Sequence, residues 1–340
     1  MNDLVTVPAR LPCLFRDIDG APLCPAGSVV CIGAFDGLHL GHRALIEAAG
    51  ASARLQGLPL VVLSFEPLPR EFFARDAKPP RLVLPRDKVQ GVAVLGCDVV
   101  GLLRFNDAMT AMSPQRFIEC VLLKRLSAHE VWVGRDFRFG HKRAGDLALL
   151  REVGAQAGFA THSIDDVTLD GERVSSSRIR AALVAGELEL AARLLGRPYA
   201  IGGKVVRGAQ LGRQLGYPTA NLRFGGKSPA LSGIYATRVH GVGDKPMPSV
   251  SSLGTRPTVN GREPLLEAHL FDFDGDLYGR RIVVEFVAKL REELKFDDLA
   301  TMVEQIHRDA ADARLALARH ALASPQISPF LFPVRAFPAP

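Results

Sequence analysis

VVCIGAFDGLHLGHR, residues 29–43, joins two periodicities in one short stretch. Val29, Val30, Cys31 and Ile32 form an unbroken apolar run, the pattern of a strand buried on both faces, while Ala44, Leu45, Ile46, Ala48 and Ala49 continue as a helix. Between them, Gly33, Gly37 and Gly41 permit a tight turn and a close approach of backbone to ligand. The helix start adds unpaired N–H groups and the positive end of its dipole, which together make an anion site. His39 and His42, three apart, can face the same anion. Imidazoles that rest neutral can donate hydrogen bonds to a phosphate without gripping a pyrophosphate product. The plainer alternative is a generic strand-to-helix turn whose histidines are solvated or cap the helix.

The rest of the chain bounds what such a site can serve. With 340 residues, two domains are expected, each large enough for its own core. A hydrophobic fraction of 47% and a charged fraction of 23% describe a globular chain, not a disordered one. The net charge of +6 suits anionic small molecules as well as nucleic acid, but the lysines and arginines are dispersed, which argues against a nucleic-acid partner. Cys13, Cys24, Cys31, Cys97 and Cys120 are odd in number and without CxxC spacing, so reduced thiols are expected and a disulfide framework is not. No charged-then-apolar leader opens the chain and no apolar run reaches spanning length; a cytoplasmic protein without a membrane partner is expected. The apolar tail, 324–340, is broken by prolines and reads as a flexible extension, with docking on its own surface as the alternative.

In the first half, short apolar strands at 60–65, 99–103 and 130–133 alternate with helical stretches at 113–126, 145–153 and 175–185. That alternation predicts a mainly parallel sheet covered by helices. A helical connector follows at 186–198. From Tyr199 the chain turns strand-rich, with candidates at 201–206, 233–239, 250–253, 265–273 and 281–288, the spacing of a small antiparallel barrel. Leu299, Met302, Val303, Ile306 and Ala310 then recur at helical spacing behind a cap at Asp297 or Asp298. The expected division is therefore 1–185, a linker 186–198, a barrel domain 199–323 and the tail.

Two further segments carry chemistry. GERVSSSRIR, 171–180, offers Ser175, Ser176 and Ser177 at a helix start with Arg173 and Arg180 nearby; the alternative is a simple N-cap beside a solvated arginine face. In GGKVVRGAQLGRQLGYPTANL, 202–222, glycines 202, 203, 208, 212 and 216 make a close-approaching loop. Thr219 and Asn221, two apart in an extended segment, share a face and offer oxygen ligands suited to magnesium held together with phosphate. A plain hairpin set is the alternative there. Glu267 alternates with Leu266 and Ala268, so it is either a carboxylate with a task or part of an exposed strand face.

Gly-x-Phe-Asp-x-x-His-x-Gly-His resembles the signature of the HxGH nucleotidyltransferases. FEPLPREFF from Phe65, RLVLPRDK from Arg81, VGRDFRFG from Val133 and VSSSRIR from Val174 then follow in the order seen in bacterial bifunctional riboflavin kinase/FAD synthetases. GYPTANL, SGIYATRV, LGTRPTVNG and the stretch from Leu266 are similar to the riboflavin kinase module of the same family, so the two resemblances span nearly the whole chain. The resemblance implies a Rossmann-like α/β nucleotidyltransferase domain followed by an all-β flavokinase barrel with a C-terminal helix. It implies that His39 and His42 act on ATP phosphates with Ser176, Ser177 and Arg180, that Gly33, Phe35, Asp36, Gly41, Asp136 and Arg173 line the nucleotide and flavin site, and that Phe65, Phe137 and Phe139 pack on flavin or adenine or serve as core. In the barrel it implies ATP binding by Gly202, Lys204, Gly208, Gly216, Pro218, Thr219 and Asn221, with Thr219 and Asn221 as magnesium ligands and Glu267 as the catalytic acceptor. Arg291 and Glu293 are weaker candidates for a flavin-side loop.

Three sequence departures are visible. Ala34 stands where the family often has Asn or Thr, Ser177 where it often has Thr, with the hydroxyl kept, and Ser252 where Asn is frequent. The implied function is ATP- and magnesium-dependent conversion of riboflavin to FMN and then to FAD, by a monomer or weak homo-oligomer acting on small molecules. The alternatives are a nucleotidyltransferase for another phosphorylated acceptor and a non-catalytic flavin or nucleotide sensor.

Overall fold

A computed structural model describes residues 12–74, 78–208, 211–258 and 261–323. The expected tail, 324–340, lies outside them. Among the described residues, those up to 79 together with 85–175 form one compact unit, and 80–84 with 176 onward form the other.

The first unit is built on six parallel strands in the order β1-β4-β3-β2-β5-β6. They are β1 (Cys13–Phe15), β2 (Ser28–Ile32), β3 (Leu60–Glu66), β4 (Val99–Arg104), β5 (Ala128–Gly134) and β6 (Ala160–Ile164). Strand β2 is buried along its whole length because helices cover both of its faces. Val29 and Cys31 pack with Leu45, Ile46, Ala49 and Ala53 of the helix Leu40–Gln56. Val30 and Ile32 pack on the other side with Phe117, Ile118, Val121 and Leu122. The predicted helix over 113–126 is capped by Ser113, whose Oγ accepts the Arg116 N–H at 3.1 Å, and winds as an α-turn, Pro114–Phe117, before widening to π geometry over Ile118–Arg125. The helix expected over 145–153 begins later, at Leu147–Ala157, where Asp146 caps the Leu149 N–H at 3.0 Å. A short hairpin, β7 (Thr168–Leu169) and β8 (Glu172–Arg173), completes the unit.

The chain leaves β2 for β3 and β4 on one side and returns to β5 on the other. The carboxyl ends of β2 and β5 therefore lie at the point where strand order reverses, the crevice in which open α/β sheets take their ligands. The HxGH turn follows β2 directly, and Asp136 follows β5.

In the second unit the helices Ser176–Ala185 and Leu188–Leu195 pack on each other, and the latter on the strand Arg281–Arg291. Six antiparallel strands close a barrel in the order β10-β13-β12-β11-β14-β9. They are β9 (Ala200–Val206), β10 (Ala220–Arg223), β11 (Gly233–His240), β12 (Met247–Thr258), β13 (Gly261–Leu270) and β14 (Arg281–Arg291). Leu222, Tyr235, Leu253, Leu266, Ala268 and Val284 are buried. Within the same core, the Thr237 hydroxyl meets those of Ser249 at 2.6 Å and Ser251 at 2.7 Å, so these buried polar groups are satisfied by one another. The helix Leu299–Ala323 starts at Asp298, which caps the Thr301 N–H at 2.8 Å, and lays Ala310, Ala313 and Leu317 against Ala236, Val250, Phe271 and Val287. Among the described residues, no helix is long and apolar enough to cross a membrane.

Candidate active sites

In the first unit the two histidines come together as the motif predicts. Their rings stack with centroids 3.6 Å apart, and His39 is also the helix N-cap, its Nδ1 accepting the His42 N–H at 3.3 Å. Capping and ligand binding are thus complementary: an Nδ1 that accepts leaves the neutral imidazole's proton on Nε2, as a donor for an anion. Burial pushes the His39 pKa down to about 4, with the Arg173 charge acting in the same direction. His42 is lowered as well, by burial, by its stacked neighbour and by the Lys88 charge. Its Nδ1 is buried without a hydrogen-bond partner among the described residues. Gly41 keeps this geometry open, since a Cβ there would meet the His39 ring at 3.3 Å.

The turn before the pair is tightly wound. Phe35, Gly37 and Leu38 take positive φ of 48°, 93° and 49°, and the Phe35 ring is buried edge-on against His42 at 5.3 Å. Gly33 opens the turn over the Phe35 ring, and Asp36 is buried within it. Arg173 bridges two carboxylates, pairing with Asp136 and, at 3.0 Å, with Asp166. That guanidinium holds the Asp136 carboxyl below its usual range. The aromatics divide: Phe139 is a core residue, Phe137 stacks on it at 5.4 Å, and Phe65 stands edge-on to Phe105. Sequence reasoning missed Lys88, buried on the helix Pro85–Val94, because a lysine in a polar helix start carries no local signal of burial.

Ser176, Ser177 and Arg180 belong to the second unit. Both serines open the helix Ser176–Ala185, as the motif predicts, and Arg180 donates its Nε–H to the Pro80 carbonyl at 2.7 Å.

The barrel gathers its predicted residues on its outer wall. Asn221 is register partner to Glu267, and Glu267 to Ser252, so the three share one face across β10, β13 and β12. Their neighbours Leu222, Leu266 and Leu253 are buried on the opposite face, inside the barrel. Glu267 is therefore half-buried on the outer strand face, opposite Asn221. Asn221 is buried, its Nδ2 donates to the Thr219 carbonyl at 3.1 Å, and its Oδ1 has no hydrogen-bond partner among the described residues. Gly208 leaves the space beside it, since a Cβ there would sit 2.8 Å from the Asn221 amide. Gly202 is buried on β9, Lys204 is exposed on the same strand, and Gly216 and Pro218 lie exposed in the loop before β10.

That loop is tied down by residues to which the sequence assigned no role. His269 bonds the Pro218 carbonyl through Nδ1 at 2.9 Å and meets the Tyr217 ring edge-on, and the Tyr217 hydroxyl pairs with His307 of the C-terminal helix. Arg291 is engaged elsewhere, forked onto buried Asp309 at 2.7 and 2.6 Å, and Glu293 lies against Gly254.

A turn with two stacked histidines thus lies at the switch point of a parallel sheet, and a closed barrel with a carboxylate opposite a buried amide follows it; the family matches of the two segments place the chain in the class of phosphoryl- and nucleotidyl-transferring enzymes. Residues 22–178 match the FAD synthetase family and residues 195–317 the riboflavin kinase family. The chain is 43% identical over 302 residues to the bifunctional riboflavin kinase/FMN adenylyltransferase of Escherichia coli (strain K12), covering 88% of this chain and 96% of that one. To the protein of the same description from Pseudomonas fluorescens it is 42% identical, over 86% and 94%. A crystal structure described as a macrolide-efflux protein from Streptococcus pneumoniae is similar in fold, with a TM-score of 0.73 at 27% identity over 90% of this chain and 99% of that one. The chain belongs to the bifunctional riboflavin kinase/FMN adenylyltransferase family.

Proposed function

We propose that the two sites act in series on one flavin, the barrel phosphorylating riboflavin to FMN and the parallel-sheet unit adenylylating FMN to FAD. The observation that carries this is the presence of both family segments in one chain.

In the barrel, Glu267 accepts the proton of the riboflavin 5′-hydroxyl as that oxygen attacks the γ-phosphorus of ATP and ADP leaves. Thr219 and Asn221 would hold a magnesium ion bound with ATP. The donor set fits: a buried amide oxygen with no hydrogen-bond partner among the described residues and a hydroxyl two residues away are hard oxygen ligands, suited to an ion that takes its remaining ligands from phosphate and water. Such an ion supplies charge neutralisation at the phosphate oxygens. Gly202, Lys204, Gly208, Gly216 and Pro218 shape the nucleotide loop around these ligands.

In the first unit, a phosphate oxygen of FMN attacks the α-phosphorus of ATP and pyrophosphate leaves. His39 donates from Nε2 to the phosphate chain and His42 supports it, with neutral rings that let pyrophosphate depart. Gly33, Phe35, Asp36 and Gly41 hold the turn, and Arg173, oriented by Asp136, adds positive charge beside it. In the second unit, Ser176 and Ser177, which open a helix, and Arg180 offer phosphate donors of their own. The functional modules are 1–185 and 199–323, joined by 186–198, with 324–340 as an appended tail.

The reaction needs one chain and small molecules only, so a monomer or weak homo-oligomer without nucleic acid or membrane suffices. Cytoplasmic residence is supported by five cysteines that are all unpaired. Incubating the purified chain with riboflavin and magnesium–ATP and separating products over time tests the proposal. FMN followed by FAD is expected; no FMN would overturn the kinase assignment, and FMN that never becomes FAD would overturn the second.

A further inference from the structure

Lys88 ends the stretch RLVLPRDK and is used by neither site as described. It is 1% exposed, and a buried ammonium is retained only where partners compensate its lost hydration. Its Nζ donates to the Ala34 carbonyl at 2.7 Å and to the Ser64 hydroxyl at 3.0 Å, and that hydroxyl donates in turn to the same carbonyl at 3.0 Å. The triangle closes on the point where β2 has ended and the turn begins. Immediately beyond it come Phe35 and Leu38 in left-handed conformations, which persist where surrounding structure over-determines them. Phe35 rests against the His42 ring, and His39 caps the helix. A continuous line of contacts therefore runs from the ammonium through Ala34 and Phe35 to the histidines.

We propose that Lys88 is a positioning residue for adenylyl transfer, its ammonium clamping the Ala34 carbonyl together with Ser64 and so holding the turn that aims His39 and His42. The inference rests on the reading of those histidines as the phosphate-binding pair. The ammonium has a second effect through space. It disfavours a proton on His42, as stacked His39 does from the same helix start, while Arg173 of β8 acts likewise on His39.

The test uses the full chain with Lys88→Met and Ser64→Ala, following FMN adenylylation, riboflavin phosphorylation and the titration of His42 by NMR of labelled imidazoles. For Lys88→Met, kcat for adenylylation falls about tenfold to a hundredfold while KM for FMN and ATP stays within about twofold. His42 then titrates at higher pH, and phosphorylation of riboflavin is unchanged. Ser64→Ala keeps the ammonium, lowers the adenylylation kcat about twofold to fivefold and leaves the His42 titration where it was. Unaltered kcat in either variant overturns the proposal, as does a loss confined to KM, which would mean direct substrate contact. Should Lys88→Met lose its cooperative melting transition, Ser64→Ala decides. Failure of the underlying reading looks different: His42→Ala would then adenylylate FMN normally.

Discussion

Asn221 and Glu267 stand directly opposite one another on the antiparallel strands β10 and β13. Directly opposed Cβ atoms lie about 4.5–5.5 Å apart, so the amide and the carboxylate share one patch of outer barrel wall. In the proposed kinase reaction, a metal–nucleotide complex and an attacking hydroxyl would be served by these adjacent side chains on rigid strands.

Replacing Glu267 with Gln keeps the shape and removes the proton acceptor. FMN formation is expected to fall about 10²- to 10⁴-fold, the range general-base catalysis contributes, while FAD synthesis from supplied FMN stays normal. Chromatographic assays of the two half-reactions check this, and loss of both would contradict separate sites.

Gly208→Ala places a methyl group 2.8 Å from the Asn221 amide, closer than real Cβ contacts come. The amide must move, and KM for ATP in the kinase reaction is expected to rise about tenfold, with adenylylation untouched. An unchanged KM would show that Asn221 does not hold the nucleotide.

The stacked histidines make the first unit acid-sensitive. His39 titrates near 4 when folded against 6.5 ordinarily, so between these values the unfolded chain binds more protons and stability rises with pH. The stability is fully present above about pH 6.5 and is lost as pH falls toward 4, by about 3 kcal/mol from His39. Denaturant titrations across that window should show the slope, and His39→Asn, which retains a capping acceptor, should flatten it.

Asp309, buried, accepts a bidentate pair from Arg291 and joins the C-terminal helix to β14. Asp309→Ala leaves that guanidinium uncompensated and is expected to cost about 3–5 kcal/mol. Thermal melts should show the loss, and kinase activity should decline at lower temperature than adenylylation.

How much of this was legible beforehand depends on how local each feature is. The alternation of 29–43 marks β2, its turn and its helix because burial on two faces demands an unbroken apolar run, and the HxGH spacing stacks two rings on one helix turn. Ser113 before Pro114 marked a helix start by residue type, whereas the helix read from Gly145 begins at Leu147 behind a cap at Asp146. The strand Ala220–Arg223 lay within a segment read only as extended, and β1 and β6 were too short or too polar to stand out. The boundary between domains was read from motif order at 185, whereas compactness divides the chain between 175 and 176, because the helix Ser176–Ala185 packs on Leu188–Leu195 and through it on the barrel.

By itself the sequence determined the class of the longer elements, which follows from periodicity over a few residues, and, through the resemblance of motifs in order, the family. Only the tertiary structure decided that His39 caps its helix through Nδ1, that Asn221 meets Glu267, that Tyr217 reaches His307 and that a buried lysine grips the HxGH turn. Each of these depends on strand register or on packing between distant segments, which is set by how whole faces are buried and how the barrel closes, and no local pattern encodes that.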